Sequence, residues 1–559
     1  MKTIHLLGGG TAGLMYVKYL CMHHPEIKIN IIEKGPPSWH FGHTSNSMGW
    51  PRVFGEKTIR GDSLFTTKNS QENHTIKNAF PNVLGGVSAF GGGFTLRDSK
   101  KNMDLLHSVT GSSKWQEEEL SKSYDEVDDI LRLPRLSTST PTDNLTGTEY
   151  VDDFSKKMIG HLNKNGYQAA KTYDYSEDGI INLNCSLFDH FGRRLTGIPV
   201  LTDPDTGELY SNITLQCYSR VTYLDYKDGV ITNFVVKNLL SGEDTTVEVL
   251  DTDKVVLGCG LRSIQLLYLS GIGPKDKLER YGIKSKLDVE NVGRKITHHP
   301  LVTWPCVAEE GEKSTNFSTY AVKDSVEIST GCVELSAIWA LNLNLPVLNS
   351  LFQKLQRSNN TFVERKLKLV LRILGLFPDL YNKSNYRLKI VNVSLYKPSG
   401  FGEMFLTSDS WDDDPYVNCY DLEDDADLDR IAQKIFLVNS FNEEYTKELS
   451  WSTKMFHNIL GKVAGTSDYS SVENIKKALR KKNRAYDTWW HFTGGVSMGP
   501  DPELDVIDPD TMRFHKISNL HCIDATSFPI DFDAHNFYNV LMVGWHSGKV
   551  MGELLQSEN

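Results

Sequence analysis

The chain has 559 residues, of which 39% are hydrophobic, and it carries a formal net charge of −11. This acidic balance argues against a nucleic-acid partner, because nucleic-acid-binding proteins usually present a basic surface. The eight cysteines are scattered without a Cys-x-x-Cys or a Cys/His cluster, so the sequence predicts neither a metal site nor a disulfide framework. No apolar run reaches the about 18 residues that span a bilayer, and no signal peptide is visible, so we expect a cytoplasmic protein.

The start of the chain has the pattern of a nucleotide-binding unit. Thr3–Leu7 is a short apolar run suited to a buried parallel strand, and residues 14–20 are predicted to form the helix behind it. Between them, Gly8, Gly10 and Gly13 satisfy the pattern Gly-x-Gly-x-x-Gly. We expect Gly8 to permit a tight turn, Gly10 to let the backbone approach a pyrophosphate, and Gly13 to let helix and strand pack closely. The helix N-terminus would then face the phosphates.

A second apolar run, Ile29–Ile32, ends in Glu33, which lies twenty residues after Gly13. An acidic side chain at this spacing is expected to accept hydrogen bonds from ribose hydroxyls. The acid favours an unphosphorylated ribose, so the sequence favours FAD or NAD over NADP. Three glycines alone could simply form a turn. With strand, helix, second strand and terminal acid in register, the sequence predicts nucleotide binding.

The C-terminal part of the chain carries two histidines that are candidate general bases. His491 lies within the segment Trp489–Gly495, and His535 follows Asp524 by eleven residues. Imidazole suits general-base work near neutral pH because its ordinary pKa is about 6.5. A chain with a nucleotide site at its start and two candidate bases at its end is predicted to be a redox enzyme. The alternatives are a packed aromatic corner with a structural His491, and a polar partner at Asn536 instead of His535.

Four further segments follow in chain order: Val83–Ala89 with Gly91–Gly93 and Arg97, Val255–Gly260 leading into Ser263–Pro274, Asn291–Arg294 running on to His298–Pro300, and Lys397–Gly402 before Leu406–Asp409. Together with the two ends, these segments resemble the glucose–methanol–choline (GMC) oxidoreductase family of FAD enzymes. The resemblance touches nearly the whole chain in the family's order. Its most specific parts are Leu269–Pro274 and the spacing from Asp524 to His535.

Some positions depart from the family pattern. Gly91 stands where the family usually has Asn, and Phe90 and Gly91 occupy the place where some members carry a histidine bonded covalently to the flavin. The resemblance therefore implies non-covalent FAD. Relatives place an acid-His-Pro turn where this chain has His298-His299-Pro300, and we interpret both histidines as structural. These departures weaken any transfer of substrate identity.

The resemblance implies a reaction in which an alcohol loses a proton from oxygen and a hydride from carbon, the hydride passing to flavin N5. His491 matches the family's nearly universal base, and His535 matches a position where relatives carry His or Asn. Val221 matches the position whose backbone meets the adenine, and Asp524 is expected beside the ribityl chain or the pyrophosphate. The predicted cofactor-binding residues are Gly8, Gly10, Thr11, Ala12, Gly13, Glu33, Gly85, Gly86, Ser88, Gly91, Val221, Trp490, Asp524, Ala525, His535 and Asn536. The expected partners are a small-molecule alcohol and an electron acceptor, either oxygen or a quinone.

The fold class implied by the resemblance is α/β: a Rossmann-like FAD-binding domain with an α+β substrate domain built on an antiparallel sheet. We expect residues 1–300 with 481–559 to form the FAD-binding domain, with some substrate-domain insertions at about 110–205, and residues 301–480 to form a roof over the flavin. Within the roof, residues 333–374 combine an apolar run with a basic amphipathic stretch. Core helices, a substrate tunnel or lid, and a membrane-surface or subunit contact are the three alternatives for this region.

A fold does not by itself fix the chemistry, so several functions compete. The leading hypothesis is an FAD-dependent alcohol oxidase or dehydrogenase. A relative with changed chemistry, such as a cyanohydrin lyase or a fatty-acid photodecarboxylase, is the runner-up, and the pair His491 and His535 favours alcohol oxidation over both. A flavin halogenase or monooxygenase shares the Gly-Gly-Gly-Thr-Ala-Gly opening, but the Trp-x-Trp-x-Ile-Pro stretch typical of tryptophan halogenases is absent. A flavoprotein retained for binding or assembly is the non-enzyme alternative.

Overall fold

The computed structural model describes residues 2–37, 64–68, 75–79, 82–89, 91, 93, 95–131, 152–168, 176, 178–181, 197–309, 317–332, 387–419, 422–464, 469–480 and 486–558. The region 333–374 and Phe90, on which the sequence predictions partly rest, lie outside these residues. In the described part of the chain, no helix has both the length and the apolar character needed to cross a bilayer.

The strands of the described residues are β1 Thr3–Leu7, β2 Lys28–Ile32, β3 Leu64–Lys68, β4 Thr75–Ala79, β5 Gly179–Ile181, β6 Ile213–Gln216, β7 Ser219–Lys227, β8 Val230–Asn238, β9 Asp244–Glu248, β10 Lys254–Leu257, β11 Ile272–Gly273, β12 Leu287–Asp288, β13 Pro300–Val307, β14 Phe317–Lys323, β15 Val326–Cys332, β16 Leu388–Leu395, β17 Glu403–Phe405, β18 Tyr416–Asn418, β19 Asp487–Thr488, β20 Ile507–Asp508, β21 Arg513–Phe514 and β22 Leu520–Cys522. The α-helices are α1 Thr11–His23, α2 Lys100–Thr110, α3 Glu117–Leu131, α4 Asp153–Lys164, α5 Ile198–Leu201, α6 Leu261–Leu269, α7 Lys275–Arg280, α8 Asp425–Glu448, α9 Trp451–Ala464, α10 Val472–Arg480 and α11 Asn536–Ser557. Short 3₁₀ turns span Gly86–Ala89, Ser113–Trp115 and Ala525–Ser527.

The largest sheet carries the start of the chain at its centre. Among the described strands its order is β20-β21-β22-β10-β1-β2-β6, and the run from β22 to β6 is parallel. Consecutive residues Ile4 to Leu7 of β1 are buried, which means that both faces of the sheet are covered, as parallel sheets require. The predicted first strand has the observed bounds, whereas α1 begins at Thr11, earlier than the predicted residue 14, because Gly10 already serves as its N-cap.

Helix α11 brings the C-terminal residues to the front of the opening loop. It packs along α1 in the same direction, so close that a Cβ on Gly544 would lie 2.1 Å from the carbonyl oxygen of Ala12. Asn536, the first residue of α11, lies eight positions before Gly544. At about 1.5 Å of helix rise per residue, the start of α11 projects about 12 Å beyond that contact. The residues around Asn536 therefore stand in front of the N-terminus of α1.

A second sheet is antiparallel throughout its described strands, in the order β19-β13-β16-β15-β14-β5. Buried side chains of this sheet and of α4, α8 and α10 form their own hydrophobic core. The predicted fold class, a Rossmann-like domain with an α+β domain on an antiparallel sheet, is confirmed. Strand β19 comes from outside 301–480, whereas β5 lies within the region of about 110–205 where substrate-domain insertions are predicted. The domain boundaries stay a prediction.

Smaller sheets complete the described architecture. Strands β7, β8 and β9 form an antiparallel sheet, and β17, β18, β3 and β4 form another. The pairing of Pro300 with Thr488 joins β13 to β19 and is continued by a hydrogen bond from the Trp489 backbone N–H to the His299 carbonyl. This pairing lays the segment that carries His491 directly beside His299.

Candidate active site

The opening glycine loop follows β1 and lies against the loop that follows β10. Gly8 has φ +97, and a Cβ there would stand 2.8 Å from the Gly258 carbonyl oxygen and from the Cys259 sulfur, so both the turn and the close approach require glycine. Gly13 faces the Gly8 carbonyl and the side chain of Leu6 rather than open space. The loop ends at Gly10, the N-cap of α1. The amide groups in the first turn of a helix have no partner within the helix and can bind an anion.

Glu33, at the end of β2, has its carboxylate anchored by backbone groups. Gly9 N–H donates to Oε2 at 2.9 Å, and Gly35 N–H donates to Oε1 at 2.7 Å. Burial raises the pKa of Glu33, while the two backbone donors oppose that rise. The carboxylate thus holds the glycine loop in place, and each oxygen keeps acceptor capacity for a further donor such as a hydroxyl.

The turn Gly85–Ser88 is fastened to the glycine loop by a small set of hydrogen bonds. Gly85 N–H donates to the Gly9 carbonyl at 2.7 Å, and the Thr11 hydroxyl donates to the Gly85 carbonyl at 3.1 Å. Ser88 N–H in turn donates to the Thr11 hydroxyl at 3.1 Å. Gly85 and Ser88 thus hold the glycine loop in place, and Gly86 and Val87 are the residues of this turn that line the cavity.

One continuous cavity extends from the glycine loop to the C-terminal histidine segment. Twelve of the predicted site residues line it: Gly8, Gly10, Thr11, Ala12, Glu33, Gly86, Val221, Trp490, His491, Asp524, Ala525 and Asn536. Five others lie outside its lining: Gly13, Gly85, Ser88, Gly91 and His535. The structure therefore brings together residues that are more than 500 positions apart in the chain.

Asp524 joins two loops at the carboxyl end of the main sheet. Its Oδ2 accepts from Gly260 N–H at 2.7 Å, and its Oδ1 accepts from Thr526 N–H at 2.9 Å. Burial raises the pKa of Asp524, and these donors counteract that effect. The carboxylate fixes the loops after β10 and β22 along one wall of the cavity.

The end of the cavity near Val221 is closed by residues that the sequence did not single out. Trp411 and Arg220 line it, with the guanidinium carbon 5.6 Å from the centre of the indole ring. The indole N–H donates to the Thr222 carbonyl at 2.6 Å. A flat aromatic surface beside a cation suits a purine base.

At the opposite end, His491 lines the cavity, and two further imidazoles, those of His299 and His535, lie against it. The ring centres of His491 and His535 are 4.9 Å apart, and those of His491 and His299 are 5.0 Å apart. Nδ1 of His491 lies 3.0 Å from Nδ1 of His299. The Asn536 amide donates to the His491 carbonyl at 2.9 Å, which ties the start of α11 to this segment.

His491 is held as a neutral imidazole by its surroundings. Enclosure by the protein lowers its pKa well below the ordinary value of 6.5, and the neighbouring His535, His299 and His298 lower it further. The ring still reaches the cavity, because it belongs to the cavity lining. A neutral imidazole in such a place can accept a proton.

His535 has a different partner, the buried carboxylate of Glu327 on β15. Nε2 of His535 lies 3.2 Å from Oε1 and 3.1 Å from Oε2 of Glu327. The Tyr396 hydroxyl donates to Oε2 at 2.6 Å and accepts from the Tyr320 hydroxyl at 3.1 Å. Burial would raise the pKa of Glu327, but the charge of His535, its hydrogen bond and the other hydroxyl donors bring that pKa below its ordinary value. An ionised Glu327 therefore orients His535.

Sequence reasoning missed several residues of this end: Glu327, Tyr396 and Asp531, together with the contact of His299. Glu327 offered one signal, a carboxylate inside an otherwise apolar and small strand pattern, Val326–Cys332. The interpretation of His299 as purely structural does not account for its contact with His491.

The chemistry of the lining fits a dinucleotide cofactor. Glycines and helix amides at the loop suit phosphates, and Glu33 suits ribose hydroxyls. Gly10 faces the cavity, and a Cβ on it would already stand 3.1 Å from the Gly258 carbonyl oxygen. The cavity then continues to His491 and Phe492, where a reactive ring would meet imidazole. Fold and cavity thus define an α/β protein that binds a nucleotide cofactor next to candidate bases.

Comparison with known proteins identifies the family. Residues 398–544 match the family model described as GMC oxidoreductase. Protein HOTHEAD of Arabidopsis thaliana is 23% identical and the match covers 98% of this chain and 88% of that protein. Pyranose dehydrogenase 3 of Leucoagaricus meleagris is 22% identical, with 98% and 92% covered. A solved structure of a formate oxidase variant from Aspergillus oryzae RIB40 has a TM-score of 0.72 at 17% identity and covers 100% of this chain and 99% of that one. The resemblance to the GMC oxidoreductase family that the sequence predicted is confirmed, and the flavoenzymes of this family bind FAD.

Proposed function

We propose that the protein is an FAD-dependent oxidoreductase that oxidises the CH–OH group of an alcohol, with His491 as the general base and His535 as its partner. The observation that carries the proposal is the position of His491: it lines the same cavity as Gly8 and Gly10, and its ring centre lies 4.9 Å from that of His535. FAD is held without a covalent bond, and the electron acceptor is oxygen or a quinone.

Bound FAD supplies the hydride acceptor for the carbon that carries the hydroxyl. The protein's own residues handle the proton. Because Nδ1 of His491 is engaged by His299, Nε2 is the nitrogen available to the substrate hydroxyl. A base placed in this way contributes about 10²- to 10⁴-fold to a rate. The low pKa of His491 keeps this nitrogen unprotonated across the neutral pH range.

His535 is the partner of His491, with the two ring centres 4.9 Å apart. Its Nε2 faces the carboxylate of Glu327, which also accepts hydrogen bonds from the hydroxyls of Tyr396 and Ser329. A proton on this nitrogen is therefore stabilised by the carboxylate. In this proposal His491 removes the proton of the substrate, and the ion-paired His535 supports it from outside the cavity lining.

The names of the relatives support the proposed class without specifying a substrate. One matched relative is named pyranose dehydrogenase 3, and another, from Pseudomonas putida, is named alcohol dehydrogenase [acceptor]. The cavity of this chain has apolar residues, Phe492, Phe537 and Val540, beside its imidazoles. An apolar alcohol is therefore the first substrate class to test.

The experiment is an anaerobic screen of the flavin-loaded protein with primary alcohols, sugars and fatty alcohols. Bleaching of the flavin absorbance by an alcohol, but not by NADPH, supports alcohol oxidation, whereas bleaching by NADPH alone supports a monooxygenase or halogenase. His491→Ala should retain FAD absorbance and lose reduction by the reactive alcohol at least about 10²-fold. His515→Ala removes a histidine that lies against the Gly499 carbonyl, away from the cavity lining, and should behave like the unaltered protein. Near-normal reduction of His491→Ala would overturn the role of the base.

A further inference from the structure

Behind His491 stands a second buried imidazole, His299, which the proposed reaction does not itself use. The two rings meet through Nδ1 atoms 3.0 Å apart, and His299 is fully buried. A hydrogen bond between two neutral imidazoles requires that one nitrogen carries the proton and the other accepts it. The direction of this bond decides which nitrogen of His491 is left with a free electron pair.

The far side of His299 settles that direction. Oδ1 of Asp531 lies 3.2 Å from His299 Nε2, an ion-pair contact that is close although not aligned as a full hydrogen bond. A carboxylate offers only acceptors, so its negative charge favours the tautomer of His299 that carries its proton on Nε2. Nδ1 of His299 is then an acceptor, and the proton between the rings belongs to Nδ1 of His491.

Asp531 is fixed well enough to impose this choice. It is buried, and the Thr297 and Thr493 hydroxyls donate to its carboxylate at 3.1 Å and 3.3 Å. The backbone N–H of Phe532 adds a third donor at 3.0 Å. These donors stabilise the ionised carboxylate and prevent it from turning away from His299.

We propose that Asp531 and His299 are positioning residues that hold His491 in the tautomer with its proton on Nδ1, so that Nε2 presents its electron pair to the substrate. This inference rests on the proposed function and deepens it. The imidazole precedes β13, and the carboxylate that contacts it comes from the C-terminal segment.

The proton balance of the step is simple. The substrate hydroxyl gives its proton to Nε2 of His491, and the proton on Nδ1 stays between His491 and His299. No proton passes to Asp531, whose charge stabilises the imidazolium through the intervening ring. A base held in the wrong tautomer costs about 10⁴-fold in a comparable histidine–carboxylate site.

The deciding measurement does not need a substrate. Nitrogen-15 NMR of histidine-labelled, flavin-loaded protein at pH 8 reports which ring nitrogen of each histidine carries a proton, with signals assigned from the spectra of His491→Ala and His299→Asn. If Asp531 and His299 position His491 as proposed, His491 carries its proton on Nδ1 and His299 carries its proton on Nε2. A proton on Nε2 of His491 in the unaltered protein would overturn it.

Two variants of nearly equal size separate positioning from packing. His299→Asn places an amide oxygen where Nδ1 stood and can still accept from His491, whereas His299→Leu offers no acceptor. With the alcohol that bleaches the unaltered protein fastest, His299→Asn should reduce flavin within about tenfold of the unaltered rate and His299→Leu should fall about 10²-fold. Equal rates in the two variants, combined with an inert His491→Ala, would overturn the positioning role of His299 and would not contradict the proposed function. A fully active His491→Ala would instead remove the proposed function.

Discussion

The two ends of the cavity are built in different ways. The nucleotide end, around Gly8–Gly10, Glu33 and Gly86, is made of backbone groups from short loops at the carboxyl ends of neighbouring strands. The imidazole end is made of side chains delivered by separate elements: His299 before β13, Glu327 on β15, Tyr396 after β16, and the segments around His491 and His535. One end depends on the absence of side chains and the other on their exact partners.

Because the two ends differ, substitutions at each end should affect different properties of the protein. A change at the glycine loop should remove the cofactor and leave the imidazoles intact. A change among the imidazoles should leave the cofactor bound and slow the chemistry. Variants that mixed the two effects would break the comparison.

The largest effect is expected from Gly10→Val. Its side chain would press on the Gly258 carbonyl, which a Cβ would already approach to 3.1 Å, and would extend into the cavity. We expect protein without flavin absorbance, because the pyrophosphate loses its place against the loop. Gly160→Val is the matched control, since Gly160 in α4 has open space where a Cβ would be. A Gly10→Val protein with a full complement of flavin would break the assignment of the nucleotide end.

The next largest effect should follow from Glu327→Gln at the imidazole end. The substitution keeps the size of the side chain and removes the charge that faces Nε2 of His535. Loss of such a supporting partner typically slows a functional imidazole by about 10- to 100-fold. Stopped-flow flavin reduction should show this loss at unchanged FAD content. Glu309→Gln, at a carboxylate that accepts from Ser450 on the exposed surface, is the control and should react normally. Loss of flavin in Glu327→Gln would contradict the expectation that changes among the imidazoles leave the cofactor bound.

A smaller effect is expected from Trp411→Ala. Stacking on an aromatic side chain contributes about 1–3 kcal/mol per base, so we expect the dissociation constant for FAD to rise by about tenfold or more. Once saturated with FAD, the variant should be reduced at the normal rate, because Trp411 lies at the far end of the cavity from His491. Trp451→Ala provides the comparison, since Trp451 is 79% exposed and lies in α9. An unchanged affinity in Trp411→Ala would show that the nucleotide end does not include the indole.

The smallest effect is expected in the pH dependence of flavin reduction. Reduction requires neutral His491, so the rate is full above the pKa of His491 and falls below it. Burial is the main cause of the low pKa of His491, and the charge of His535 is the next. His535→Asn removes that charge, so the pKa of His491 rises and the rate should begin to fall at a higher pH than in the unaltered protein. A fall at the same or a lower pH would contradict the electrostatic coupling of the two imidazoles.

The same contrast explains what the sequence could predict. Thr3–Leu7, the glycine pattern and Glu33 are contiguous, so local spacing is enough to predict strand, turn, helix and acid. His491 and His535 were found through the family resemblance, because single histidines carry no local signal. Glu327 and Asp531 could not be assigned from local spacing. Glu327 meets His535, and Asp531 meets His299, only when distant parts of the chain fold against each other. The stacking position of Trp411 is likewise set by tertiary packing on β7.

The most direct test is the structure of the flavin-loaded protein. The account predicts the adenine and pyrophosphate against Val221 and Gly8–Gly10, and the flavin ring at the other end of the cavity with His491 within reach of a bound alcohol. A flavin ring far from His491 and His535, or an adenine moiety bound away from the opening glycines, would contradict it.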